Sequence, residues 1–159
     1  MDKEISVYVS ASQEMDAECE RIGQLLAGIT RTSRSTIRRT PSPHEAANPD
    51  VDALVHSDFY IVILGTDLVA PMGVEWQAAQ RAGVRTLGFR HAEASPSPAM
   101  TDFLRRTEFA WEEYHTPSEF VRRLEKTLLT RMIEETPGLG LDLQDIEEIS
   151  ARLEALEEE

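Results

Sequence analysis

The run Phe59-Tyr60-Ile61-Val62-Ile63-Leu64 constrains this chain more than any other stretch. It is rich in β-branched and aromatic residues, is bounded by Asp58 and Gly65, and shows no polar alternation, so it describes a strand covered on both faces. Such a strand belongs in the middle of a parallel sheet. After Gly65 the chain turns through Thr66, Asp67 and Pro71. Val74, Ala78 and Ala82 then recur at helical spacing until Gly83 ends the helix as a C′ residue, and a further strand starts at Val84.

In open α/β sheets, ligands sit outside the carboxyl ends of the strands, which is where residues 65–73 fall. Glu75 follows directly and is expected in the first turn of its helix, where the positive end of the helix dipole favours a charged carboxylate. Ala78 and Ala79, three and four residues on, share its face and leave room for an approaching group. Glu75 is therefore the candidate nucleophile or hydroxyl anchor, although a first-turn acid is also ordinary helix design.

The remaining elements follow from periodicity. Ile5, Val7 and Val9 alternate with Ser6, Tyr8 and Ser10, which predicts a first strand. Met15, Cys19, Ile22 and Leu26 predict an amphipathic helix, with Ser10 or Ser12 as its N-cap. Both serines can also hydrogen-bond a ribose or phosphate; no glycine-rich dinucleotide fingerprint is present at this turn. Residues 35–40 predict a short edge strand made basic by Arg31, Arg34, Arg38 and Arg39, which could instead grip a phosphate or an acidic partner. Residues 41–50 form a proline-rich loop in which His44 and Glu45 lack metal-ligand spacing, and residues 51–55 a short helix.

Further strands are expected at 84–90 and 108–114, and helices at 100–105 and from Thr116-Pro117 through Met132. His91 ends the fourth strand at the same carboxyl edge as Glu75. The alternation of strands and helices implies a doubly wound, five-stranded parallel sheet of flavodoxin-like order 2-1-3-4-5, with helices on both faces. Its switch point, between the first and third strands, gathers Ser10, Ser12, Gly65, Thr66, Asp67 and Glu75.

Charge separates the chain into two parts. Lys and Arg number 16 against 29 Asp and Glu, and residues 134–159 alone carry ten acids and one base. This balance repels a phosphate backbone and argues against nucleic acid as a partner. The acidity belongs to residues 137–159, where Ile146, Ile149, Leu153 and Leu156 form a two-heptad a/d seam beyond a Pro137-Gly138 break. The seam could dock on the 1–136 domain, pair with a second copy, or lead into a following domain. No apolar run approaches membrane-spanning length and the N-terminus does not resemble a signal peptide, so a cytoplasmic protein without a membrane partner is expected. The lone Cys19 excludes an internal disulfide and argues against a zinc site.

From Ile5 to about Glu135 the chain resembles TIR-like domains at the amino-terminal end of bacterial NACHT/STAND-type signalling proteins. The resemblance is carried by SVYVSAS, the Glu20-Arg21 pair in the first helix, SDFYIVILG, the Glu75 helix running to Gly83, and YHTPSEF. Glu75, Ala79 and Gly83 are also similar to the E-x-x-x-A-x-x-x-G helix of nucleoside 2-deoxyribosyltransferases, whose glutamate attacks the sugar carbon, and TIR domains that cleave NAD use a glutamate on the corresponding helix. These resemblances imply a self-associating signalling module, of a defence system or joined to a partner protein or further domain, with Glu75 cleaving NAD or a nucleotide. The alternative they imply is a deoxyribosyltransferase-like N-glycosidase acting on free nucleosides or nucleotides. In either case NAD or the nucleotide is substrate, no cofactor or metal is expected, and Ser10, Ser12, Gly65, Thr66, Asp67 and His91 are the candidate ligand contacts.

Overall fold

The computed structural model describes residues 3–29, 33–41, 48–135 and 139–158. Five parallel strands form one sheet in the order β2-β1-β3-β4-β5, where β1 is Lys3–Ser10, β2 Ser33–Arg39, β3 Phe59–Leu64, β4 Thr86–His91 and β5 Glu112–Tyr114. All six residues of β3 are buried. Because side chains alternate across a strand, β3 supplies two cores at once. Phe59, Ile61 and Ile63 join Ile5, Val7 and Val9 of β1 on one face; Tyr60, Val62 and Leu64 join Tyr8 on the other.

Each face is closed by helices. The first is covered by α1 (Asp16–Ala27), α5 (Pro117–Glu134) and α6 (Leu143–Glu158) through Ile22, Leu26, Phe120, Leu124, Leu128, Ile149 and Leu156. The second is covered by α2 (Val51–Val55), α3 (Ala70–Ala82) and α4 (Pro98–Arg106) through Leu54, Met72, Ala79, Met100 and Phe103. Local chemistry sets their ends. Thr116 accepts a hydrogen bond from the Glu119 N–H and Pro117 opens α5, while Gly83 closes α3 in the left-handed conformation at φ 69°. Before α6, Asp142 and Asp145 cap each other reciprocally, each carboxylate accepting the other's N–H at 2.8 and 3.1 Å.

The a/d seam of the tail lies against the domain itself. Ile149 and Leu156 are buried beside α5, and Arg152 donates to Glu125 through both Nε and Nη2, at 3.0 and 2.6 Å. Other expectations need correction. The last strand spans 112–114 and not 108–114, because Phe109 and Trp111 turn onto the face of Gly88 and stack with Trp76 at 5.5 and 5.3 Å. A 3-10 turn, Gln13–Met15, precedes α1, so neither Ser10 nor Ser12 caps that helix through its side chain. Arg31, His44, Glu45, Pro137 and Gly138 lie outside the described residues. Among the described residues no helix is long and apolar enough to cross a membrane.

Gly88 stands in the middle of a strand because rings lie on it: a Cβ there would meet Phe109 at 2.5 Å and Trp111 at 2.6 Å. Gly88→Ala should therefore destabilise the protein by roughly 1–3 kcal/mol through overpacking. The denaturation midpoint measures it, and an unchanged midpoint would show that the aromatic cluster moves freely.

Candidate active site

On the face of β1 opposite the α1–α5 core, Tyr8 and Ser10 reach α3. Tyr8 and Ser10, two residues apart, share that face, and Tyr60 of β3 pairs in register with Tyr8, their rings 6.3 Å apart. From above, α3 presents Glu75, which has no exposed surface. Beyond the end of β2, Thr40 donates to Glu75 Oε1 at 2.6 Å. Ser10 Oγ donates to the same oxygen at 2.7 Å, and the Tyr8 hydroxyl donates to Oε2 in a very short hydrogen bond. Behind this first ring, Tyr60 donates to Ser10 Oγ at 2.6 Å, and the Ala11 N–H donates to Thr40 Oγ1 at 3.1 Å. One carboxylate thus collects three hydroxyl donors, two from β1 and one from the residue after β2.

Two effects compete on this carboxylate. Burial removes water from the charged form and pushes the Glu75 pKa above its usual value; the hydrogen bonds from Thr40, Tyr8 and Ser10 favour the charged form and oppose that rise, with burial the larger. The expected helix-dipole effect does not apply. The N-cap of α3 is Val69, so Glu75 lies in the second turn, beyond the reach of the dipole's positive end. The phenols of Tyr8 and Tyr60 are both pushed upward, chiefly by burial, and remain protonated donors.

Next to this network lies a cavity of about 790 Å³, lined by the β1–α1 turn (residues 11–14 and Asp16), by Arg39, Thr40 and Pro41 after β2, and by Thr66, Asp67 and Val69 after β3. Thr40 belongs to both: its hydroxyl holds Glu75 and its side chain forms cavity wall. Glu75 therefore stands one hydroxyl group behind the cavity surface and not within it. The two loops are tied together across the switch point. Glu14 Oε1 accepts from the Asp67 N–H at 2.9 Å and from Ser12 Oγ at 3.0 Å, and a side chain at Gly65 would collide with Met15 and Glu14.

Of the residues singled out from sequence, Ser12, Thr66 and Asp67 line the cavity, Ser10 and Glu75 form the network behind it, and Gly65 gives the clearance for the two loops to meet. His91 is not brought to this site. It stacks on Tyr114 at 5.2 Å, and its Nε2 lies 3.0 Å from the His115 carbonyl oxygen. Arg38 pairs with Asp50 at 3.5 Å, and Arg39 bonds the Asp16 carboxylate at 2.6 Å and the Ser12 carbonyl at 2.9 Å. Tyr8, Tyr60, Thr40, Glu14 and Arg39 were not singled out as part of this site. The alternation of β1 does contain the signal for Tyr8, which shares a face with Ser10. Nothing local marks Thr40, whose place depends on the length of β2. Among the described residues no group of three or more His, Cys, Asp or Glu side chains is arranged to hold a metal ion.

The fold and this buried carboxylate define an α/β protein with a polar centre at its topological switch point. No family model matches the chain, and no curated protein matches it. Among solved structures, the chain is similar to the Clostridium botulinum CMP N-glycosidase BcmB at 17% identity and a TM-score of 0.51, covering 76% of this chain and 98% of that one. At this identity the likeness concerns the fold.

Burial of Glu75 has a consequence for stability. With its folded-state value above the unfolded one, the folded protein binds more protons than the unfolded chain between the two values, so this group's contribution falls as pH rises from about 4.5 toward neutrality. Glu75→Gln removes that dependence. Urea unfolding across this range should show wild type losing stability relative to the variant as pH increases, and a constant difference would mean that Glu75 does not hold its proton more tightly in the folded state.

Proposed function

We propose that this protein is an N-glycosidase that cleaves the bond between the anomeric carbon and the base of a nucleoside, with Glu75 as the catalytic carboxylate. The observation that carries the proposal is the placement of Glu75: a desolvated carboxylate held by three hydroxyls at the carboxyl edge of the sheet, one threonine away from a cavity large enough for a nucleoside. The fold likeness to a CMP N-glycosidase supports the same class of chemistry.

In this mechanism a sugar hydroxyl takes over the hydrogen bond of Thr40, and the carboxylate comes to face the anomeric carbon. As the bond to the base breaks, its electron pair leaves with the base, and positive charge grows on the sugar. Glu75 Oε1 stabilises that charge by forming a bond to carbon, and water then releases the sugar. Tyr8 holds Oε2 and fixes the carboxylate plane; Ser10, itself held by Tyr60, keeps Oε1 directed at the sugar. Thr66 and Asp67 are placed to meet sugar or base hydroxyl and amino groups. The a/d seam packs on α5 within this chain.

Incubation with a panel of ribo- and deoxyribonucleosides, followed by chromatography of the free base, tests this. Glu75→Gln should lower kcat/KM by about a hundredfold or more. Release that persists unchanged in the variant, or no release from any nucleoside, would refute the assignment. The pH profile gives a second check. The charged carboxylate is the active form, and the Tyr8 hydrogen bond lowers the Glu75 value, so Tyr8→Phe should move the acid limb of kcat/KM to higher pH.

A further inference from the structure

If the cavity takes a nucleoside, the charges on its wall narrow which one. Its described lining contains three acids, Glu14, Asp16 and Asp67, against one base, Arg39. That base is already engaged, one guanidinium nitrogen on Asp16 at 2.6 Å and another on the Ser12 carbonyl at 2.9 Å. The turn into α1, where many nucleotide-binding folds accept a phosphate, presents Glu14 and Asp16 to the cavity. A phosphate placed here would face carboxylates, without an uncommitted cation among the described lining residues to receive it.

The same inventory bears on the leaving group. A neutral base departs as an anion unless a proton reaches it; the described lining holds no His or Lys for this, and its acid–base groups are the three carboxyls that attract a cation. A base that is already quaternised needs no proton: when its bond to the sugar breaks, the electron pair neutralises the ring nitrogen. We infer that the preferred substrate is a cationic N-riboside without a phosphate, of the pyridinium type, drawn in by the acidic wall and cleaved with no proton needed on the departing base. The step is balanced. The bond from sugar carbon to ring nitrogen breaks, a carbon–oxygen bond forms first to Glu75 and then to water, and the products are neutral base, free sugar and one proton.

This inference rests on the N-glycosidase assignment, and the experiment separates the two. The full chain is incubated with nicotinamide riboside, its 5′-phosphate, NAD, inosine and CMP, and released base is compared with each compound's uncatalysed rate. Nicotinamide riboside should exceed both the phosphorylated compounds and inosine by about tenfold or more in kcat/KM. Asp16→Asn, at an exposed position, releases one guanidinium nitrogen of Arg39 and should narrow the gap between nicotinamide riboside and its 5′-phosphate. Equal or faster cleavage of the phosphorylated compounds or of inosine would overturn the inference and leave the N-glycosidase assignment standing. Release from none of the five compounds overturns the inference as well.

Discussion

Burial of β3 on both faces is the constraint on which the rest of the structure depends. A strand whose alternate side chains all leave water needs a helical layer on each side, and a chain of this length supplies those layers by winding outward from it in both directions. Where the winding reverses, between β1 and β3, the loops after the strands must diverge. The cavity at residues 11–16, 39–41 and 66–69 is the space that divergence leaves. The site is a consequence of topology before it is a consequence of particular side chains.

Within that frame, Glu75 sets the chemistry of the second core. That core is apolar in Leu54, Val62, Leu64, Met72 and Ala79, yet it contains a carboxylate with no exposed surface. An unpaired buried charge would be strongly destabilising, so the hydroxyls of Tyr8, Ser10 and Thr40 are needed where they stand. Their donation makes the charged form tolerable, and burial keeps it from being as stable as in water. A carboxylate balanced in this way is less solvated than a surface glutamate and is held in one orientation, both of which suit attack on a cationic carbon. The same packing excludes water from Tyr60 and Tyr8, which stay donors across the ordinary pH range.

The tail illustrates how charge and packing divide their work. Glu147, Glu154, Glu157 and Glu158 face solvent on α6, while Ile149 and Leu156 extend the first core beyond α5. The pattern of Ile146, Ile149, Leu153 and Leu156 shows that one face seeks an apolar partner; it does not name the partner. The uncovered flank of α5 provides one within the same chain, and the Arg152–Glu125 pair fixes the orientation.

Much of the fold is written in local pattern. The β3 run, the Thr116-Pro117 start of α5, the Gly83 stop of α3 and the strand–helix alternation that yields the order 2-1-3-4-5 all follow from neighbouring residues, because hydrophobic period, capping and left-handed turns are short-range effects. The place of Glu75 on the helix after a carboxyl-edge loop was legible, but its environment was not. Whether a carboxylate is charged by a helix end or desolvated in a core depends on where α3 begins and on what β1 and the residue after β2 place against it, separations of 35 to 67 residues. Thr40, Tyr60 and the committed Arg39 likewise carry no local mark. Sequence determined which segments are strands and helices; only the tertiary structure, by bringing distant strand ends to one crevice, decided which polar groups meet there and what they leave for a substrate.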